Sequence, residues 1–123
     1  MLRIKTYLAP TKKGIGLFAA EPVRKGTIIY RFDHGIEPIF KSLANIPHES
    51  KDFMEKFCYS RNNEFRLPLD NKRFIQHAEP ANCFDNGERC ITLINIEPKT
   101  ELTCNFKDLG LTDQDIKFNY LHT

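Results

Sequence analysis

Apolar positions in the first third of the chain recur every second residue and are broken by turns. Leu2-Arg-Ile-Lys-Thr-Tyr-Leu8 alternates apolar with polar side chains, which predicts a half-buried strand. The basic stretch from Pro10 to Gly14 interrupts it as a loop. Residues 16–20 and 27–32 predict two more strands, separated by a turn around Gly26. The period then changes. Phe53, Met54, Phe57 and Cys58 share one face of a helix predicted within 47–59. Pro47 suits its first turn, and Glu49 and Asp52 suit the positive end of its dipole. Turns at 61–64 and at Asp70-Asn71 flank a strand over 65–69. The β-branched run 91–96 predicts a buried strand, and a turn at 97–100 leads into 101–106. Thr112, with Asp115 three residues on, marks a second helix start. Many short strands with short helices make a mainly β chain of the α+β class. Their order does not suit a doubly wound parallel sheet.

Composition narrows the class. A chain of 123 residues is expected to form one domain over 1–123. Eighteen Lys+Arg against sixteen Asp+Glu leave a net charge of +2, too small for a protein held on nucleic acid by a basic field. No apolar run reaches the ~20 residues that span a bilayer. The first residues have no apolar segment of a signal peptide, so a soluble, cytoplasmic protein is expected. Cys58, Cys83, Cys90 and Cys104 contain no Cys-x-x-Cys pair and no zinc-site spacing. Without an export signal they are expected to be buried thiols, and no metal is expected.

Two segments are candidates for chemistry. Gly14-Ile-Gly16 lacks the third glycine of a dinucleotide fingerprint and precedes a strand, so it is either a hairpin turn or a place where backbone approaches a ligand. Between 71 and 82, Asn71, Arg73, Gln76, His77 and Asn82 crowd hydrogen-bonding side chains around Phe74 and Ile75, as in a small-molecule site. His77 alone is as compatible with a structural as with a catalytic role. No Gly-x-Ser-x-Gly accompanies it, so nucleophilic hydrolysis has no support. Asp108, Asp113 and Asp115 are read as capping and solvated charges.

Taken in order, three segments resemble one family. Gly14-Ile-Gly-Leu-Phe-Ala19 is followed by Val23-Arg-Lys-Gly-Thr-Ile-Ile29. Arg73-Phe-Ile-Gln-His77 and Asn82 come far downstream, and Ile96-Glu-Pro-Lys-Thr-Glu-Leu-Thr-Cys-Asn-Phe106 closes the series. The chain resembles the SET domain of protein lysine methyltransferases, most closely the small stand-alone bacterial and viral type. The resemblance implies a β-clip of short curled sheets whose C-terminal segment is tucked through a loop as a pseudoknot. It implies S-adenosylmethionine as cofactor and a lysine-bearing protein or peptide as substrate, without direct nucleic-acid or membrane binding. By that match Ile15, Gly16 and Leu17 offer backbone groups to the cofactor, while Arg73, Phe74, Gln76 and His77 line the rest of its pocket. Phe106 closes the methyl-transfer channel. The groove for the target is expected within 37–63, where Phe40, Phe53, Phe57 and Tyr59 are read as core more than as recognition surface.

The chain also departs from the family pattern. Gln76 stands at the Asn of Asn-His-Ser, Ala78 at the Ser, and Ala81 at the Pro before Asn82. Asn105-Phe106 stands at Asp-Tyr. Methyl transfer needs a neutral lysine amine, whose ordinary pKa is near ~10.4, aligned with the sulfonium methyl. Losing the tyrosine hydroxyl at Phe106 removes one preorganised group, a deficit of roughly 100- to 1000-fold in rate. Tyr59, Tyr30 or Tyr120 are the candidates to supply a substitute hydroxyl. Two functions follow: a slow lysine methyltransferase, or a catalytically silent SET-fold module that binds a protein segment.

Overall fold

β1 (Thr6–Thr11) and β2 (Gly14–Ala19) form an antiparallel hairpin that turns at Lys12-Lys13. The computed structural model describes residues 1–61 and 63–110. The predicted helix start at Thr112 and Asp115, like Asp113 and Tyr120, lies outside the described residues. The alternation at 2–8 is divided between two partners. Leu2 bridges to Tyr30 and Arg3 N donates to Ile29 O at 2.8 Å, whereas residues from Thr6 onward pair with β2.

β3 (Ile28–Arg31), β4 (Ile39–Phe40), α1 (Lys51–Phe57), β5 (Tyr59–Arg61) and β6 (Glu64–Arg66) follow. Next come β7 (Gln76–His77), β8 (Cys83–Asp85), β9 (Arg89–Thr92) and β10 (Thr103–Cys104). Short 3-10 turns precede α1 at His48–Ser50, precede β7 at Asn71–Phe74 and follow β10 at Phe106–Leu109. Three small sheets result: β1-β2, β4-β6-β5, and a five-stranded sheet in the order β3-β9-β8-β10-β7. The predicted helix is confirmed as α1. The predicted strand 91–96 stops at Thr92, because the Asn95 side chain accepts from Lys25 N at 2.8 Å and turns the chain. Leu93 and Ile94 are therefore exposed, and Ile96 returns to the core by bridging Val23.

The decisive feature is β10. It lies between β7 and β8 and runs parallel to both, although those two strands are joined by only residues 78–82. Asn82 secures it: Nδ2 donates to Glu101 O (2.8 Å) and Oδ1 accepts from Thr103 N (2.8 Å). Leu102 N donates to Leu17 O (2.8 Å), which ties the same segment to β2.

Leu17, Ile29, Tyr30, Ile96 and Leu102 are wholly or almost wholly buried with Cys83, Cys90 and Cys104, which are free thiols. Among these apolar groups sits an ion pair, Lys72 Nζ with Asp85 Oδ2. Lys72 is 3% exposed, and its ammonium lies over the Tyr30 and Tyr59 rings at 4.7 and 5.2 Å. Burial, the largest influence, would lower the Lys72 pKa, but Asp85 together with Cys104, Cys90 and Tyr59 outweighs it and holds the amine above its ordinary value. Removing one partner leaves the other charge buried and alone. Asp85→Asn should cost about 3–5 kcal/mol in urea unfolding, and Lys72→Met with Asp85→Leu should recover most of it. A single variant as stable as the parent would show that the pair does not carry this load.

Candidate functional site

A cavity of about 280 Å³ opens between the hairpin, α1, the segment before β7 and Phe106. That is near the lower end of volumes that take small molecules. Pro10, Thr11, Gly14 and Ile15 form the hairpin wall, and Lys56 and Phe57 the helix wall. Residues 73–76 and Phe106 complete it.

Helical spacing places Phe53 and Phe57 one turn apart, with ring centroids 4.9 Å from each other. Phe57 meets Phe74 at 5.4 Å. The Arg73 guanidinium covers all three rings, at 5.6 Å from Phe53, 5.7 Å from Phe57 and 5.3 Å from Phe74. Its Nη1 donates to Leu69 O at 3.3 Å, while its buried Nε has no hydrogen-bond partner among the described residues. Lys56 Nζ lies 5.0 Å from the Phe57 ring centroid. Phe57 thus belongs to the cavity and Tyr59 to the core, while Phe53 is 41% exposed.

Gln76 ties the walls together. Its Nε2 donates to Ile15 O at 3.2 Å, and its Oε1 accepts from the Thr11 hydroxyl at 3.1 Å. The added methylene relative to asparagine gives this amide the reach to hold the hairpin. Behind the wall, Gly16 leaves no room for a side chain: a Cβ would lie 2.7 Å from Glu101 Oε2 and 2.9 Å from Thr11 Cγ2. That carboxylate oxygen is buried without a partner among the described residues, and burial raises the Glu101 pKa.

Phe106 is set by His77, whose Nδ1 accepts the Phe106 backbone N–H at 3.0 Å. The ring proton therefore belongs on Nε2, which faces Glu79 at 3.6 Å. The rings of His77 and Phe106 are 5.5 Å apart.

Of the residues expected to bind a cofactor, the structure brings Ile15, Arg73, Phe74 and Gln76 to this one cavity, together with Phe106. Gly16, Leu17 and His77 stand behind it, and the Leu17 carbonyl is already bonded to Leu102. Tyr59, expected as a candidate substitute hydroxyl for Phe106, is not among the residues lining the cavity. Its hydroxyl donates to Gly87 O at 2.7 Å, and burial pushes its pKa up to about 12. Tyr30 is likewise occupied, donating to the buried Glu37 Oε2 at 2.8 Å. Lys56 and Thr11 escaped the sequence reading. Lys56 adjoins Phe57 on a helix read as core-facing, and only the fold turns the end of that helix toward the hairpin.

Three phenyl rings, two cations and a neutral amide suit a small molecule with apolar surface and an anionic group. No carboxylate is among the lining residues. Gln76→Ala should release Thr11 and Ile15, lowering stability by about 1–2 kcal/mol in urea unfolding. It should also speed hydrogen exchange at the hairpin tip. Unchanged exchange there would show that the amide does not hold the hairpin.

The family model described as SET domain matches residues 14–107. Among solved structures, a candidate histone methyltransferase from Plasmodium falciparum is 22% identical, with a TM-score of 0.59 over 85% of this chain and 95% of that one. A humanized mutant of the Chaetomium thermophilum Polycomb Repressive Complex 2, bound to the inhibitor GSK126, is 19% identical with a TM-score of 0.61. That match spans 85% of this chain but 15% of the other. No curated protein matches by sequence. Among the described residues, no helix is long and apolar enough to cross a membrane.

Proposed function

Because the chain belongs to the SET domain family, we propose that it is a slow methyltransferase of the small stand-alone bacterial and viral type. It transfers a methyl group from S-adenosylmethionine to a lysine amine of a protein or peptide, within one SET-like domain over residues 1–123. The observation that carries this reading is the convergence of Ile15, Arg73, Phe74, Gln76 and Phe106 on one cavity. The lining chemistry fits the cofactor. The phenyl rings suit its adenosine and alkyl parts, and the Arg73 guanidinium on the cavity wall suits its carboxylate.

When bound, S-adenosylmethionine supplies an activated methyl group on a sulfonium sulfur. Phe57, Phe74 and Phe106 exclude water, which favours the neutral form of an entering lysine amine. His77 fixes the backbone at Phe106 and so the position of its ring. Gln76 holds the hairpin wall in place, because its amide is already committed to Thr11 and Ile15. No tyrosine hydroxyl lines the cavity among the described residues, so alignment of the reacting atoms rests on shape alone.

Calorimetry with S-adenosylmethionine and radiolabel transfer to a cell lysate test the reading. Binding with slow transfer is expected, and Phe106→Tyr should raise transfer at least about tenfold. No binding at millimolar cofactor would overturn it. Binding without transfer in either protein would support the silent module instead.

A further inference from the structure

We infer that Lys56 is a specificity residue for the cofactor: with Arg73 it forms a two-cation clamp that selects a ligand bearing a carboxylate. The inference rests on the cofactor reading above and adds a residue from α1, outside the three motif segments.

Lys56 and Arg73 approach the cavity from different elements and share one ring. The Lys56 ammonium lies 5.0 Å and the Arg73 guanidinium carbon 5.7 Å from the centroid of Phe57. Some cations of the fold are paired with carboxylates, as Arg3 is with Asp33, Lys41 with Glu64, Arg66 with Glu88 and Lys72 with Asp85, while several surface lysines and arginines among the described residues are not. Neither Lys56 nor Arg73 has one within ion-pair distance among the described residues, and no acid lines the cavity they face. Arg73 also keeps a buried Nε–H without a hydrogen-bond partner among the described residues, so its guanidinium is not satisfied by the protein alone.

Two uncompensated positive charges beside apolar rings repel each other and attract an anion. S-adenosylmethionine carries one anionic group, the carboxylate of its methionine part, while its ammonium and sulfonium are cationic. The clamp therefore selects for that carboxylate, and the two cations disfavour the sulfonium near them. A ligand identical except for the carboxylate gains nothing from Lys56.

The test is calorimetric affinity for S-adenosylmethionine and for its decarboxylated analogue, in the parent protein and in two variants. Lys56→Met should weaken S-adenosylmethionine binding about five- to twentyfold and leave the analogue unchanged. Lys56→Glu should weaken the first further and tighten the second, a reversal that a purely structural role does not produce. Unfolding temperatures report whether each variant is folded. Equal affinity of Lys56→Met and parent for S-adenosylmethionine would overturn the clamp while leaving the cofactor reading intact. Equal weakening of both ligands would also overturn it. A parent protein that binds neither ligand would remove the cofactor reading, and the clamp with it.

Discussion

Two residues, Thr103 and Cys104, occupy the gap between β7 and β8, and the candidate site exists because they do. β7 carries Gln76 and His77, one of which holds the hairpin while the other accepts the backbone of Phe106. Without the inserted strand, β7 has no partner in the five-stranded sheet and Phe106 is not brought to His77. Asn82 completes the arrangement by giving its side-chain amide to residues 101 and 103, where the two-residue strand has little backbone pairing of its own. A parallel strand that closes a loop of this kind is expensive in chain entropy, so local side-chain bonds have to secure it.

The same economy explains how motif departures are accommodated. At Gln76 the longer side chain does structural work, crossing to Thr11 and Ile15 and joining two walls of the cavity. At Phe106 the ring is retained against the core, and its placement comes from the backbone N–H rather than from anything the side chain lacks. The shape of the cavity thus survives changes that alter its polar chemistry. Shape is conferred by many weak contacts, while an aligned hydroxyl is a single group that one substitution deletes.

Much of the architecture was legible in the chain. Alternation and turn residues located β2, β3 and β6, and the 3.6-residue period located α1. β1, however, runs on through Pro10 and Thr11, which read as loop in the sequence, and only its first residues fall in the predicted strand 2–8. β8 was not legible, since Cys83-Phe-Asp85 places a carboxylate on a buried position and breaks the apolar pattern. Only the fold reveals that Lys72, thirteen residues earlier, supplies the matching charge. The motif segments named most of the cavity residues. They did not separate those that line it from those that brace it, because Gly16, Leu17 and His77 differ from their neighbours in direction rather than in type. Lys56 carried no signal, as a lysine on an amphipathic helix ordinarily faces water.

Lys72 has one more consequence. A protein read as acting on lysine amines has placed one of its own where no reagent can reach, enclosed by two tyrosine rings and a carboxylate. Acylating or alkylating reagents that reach the surface lysines directly must wait for the core to open before they meet this one. Its rate of labelling is therefore a clock for opening of the native interior, carried by the chain without any added probe.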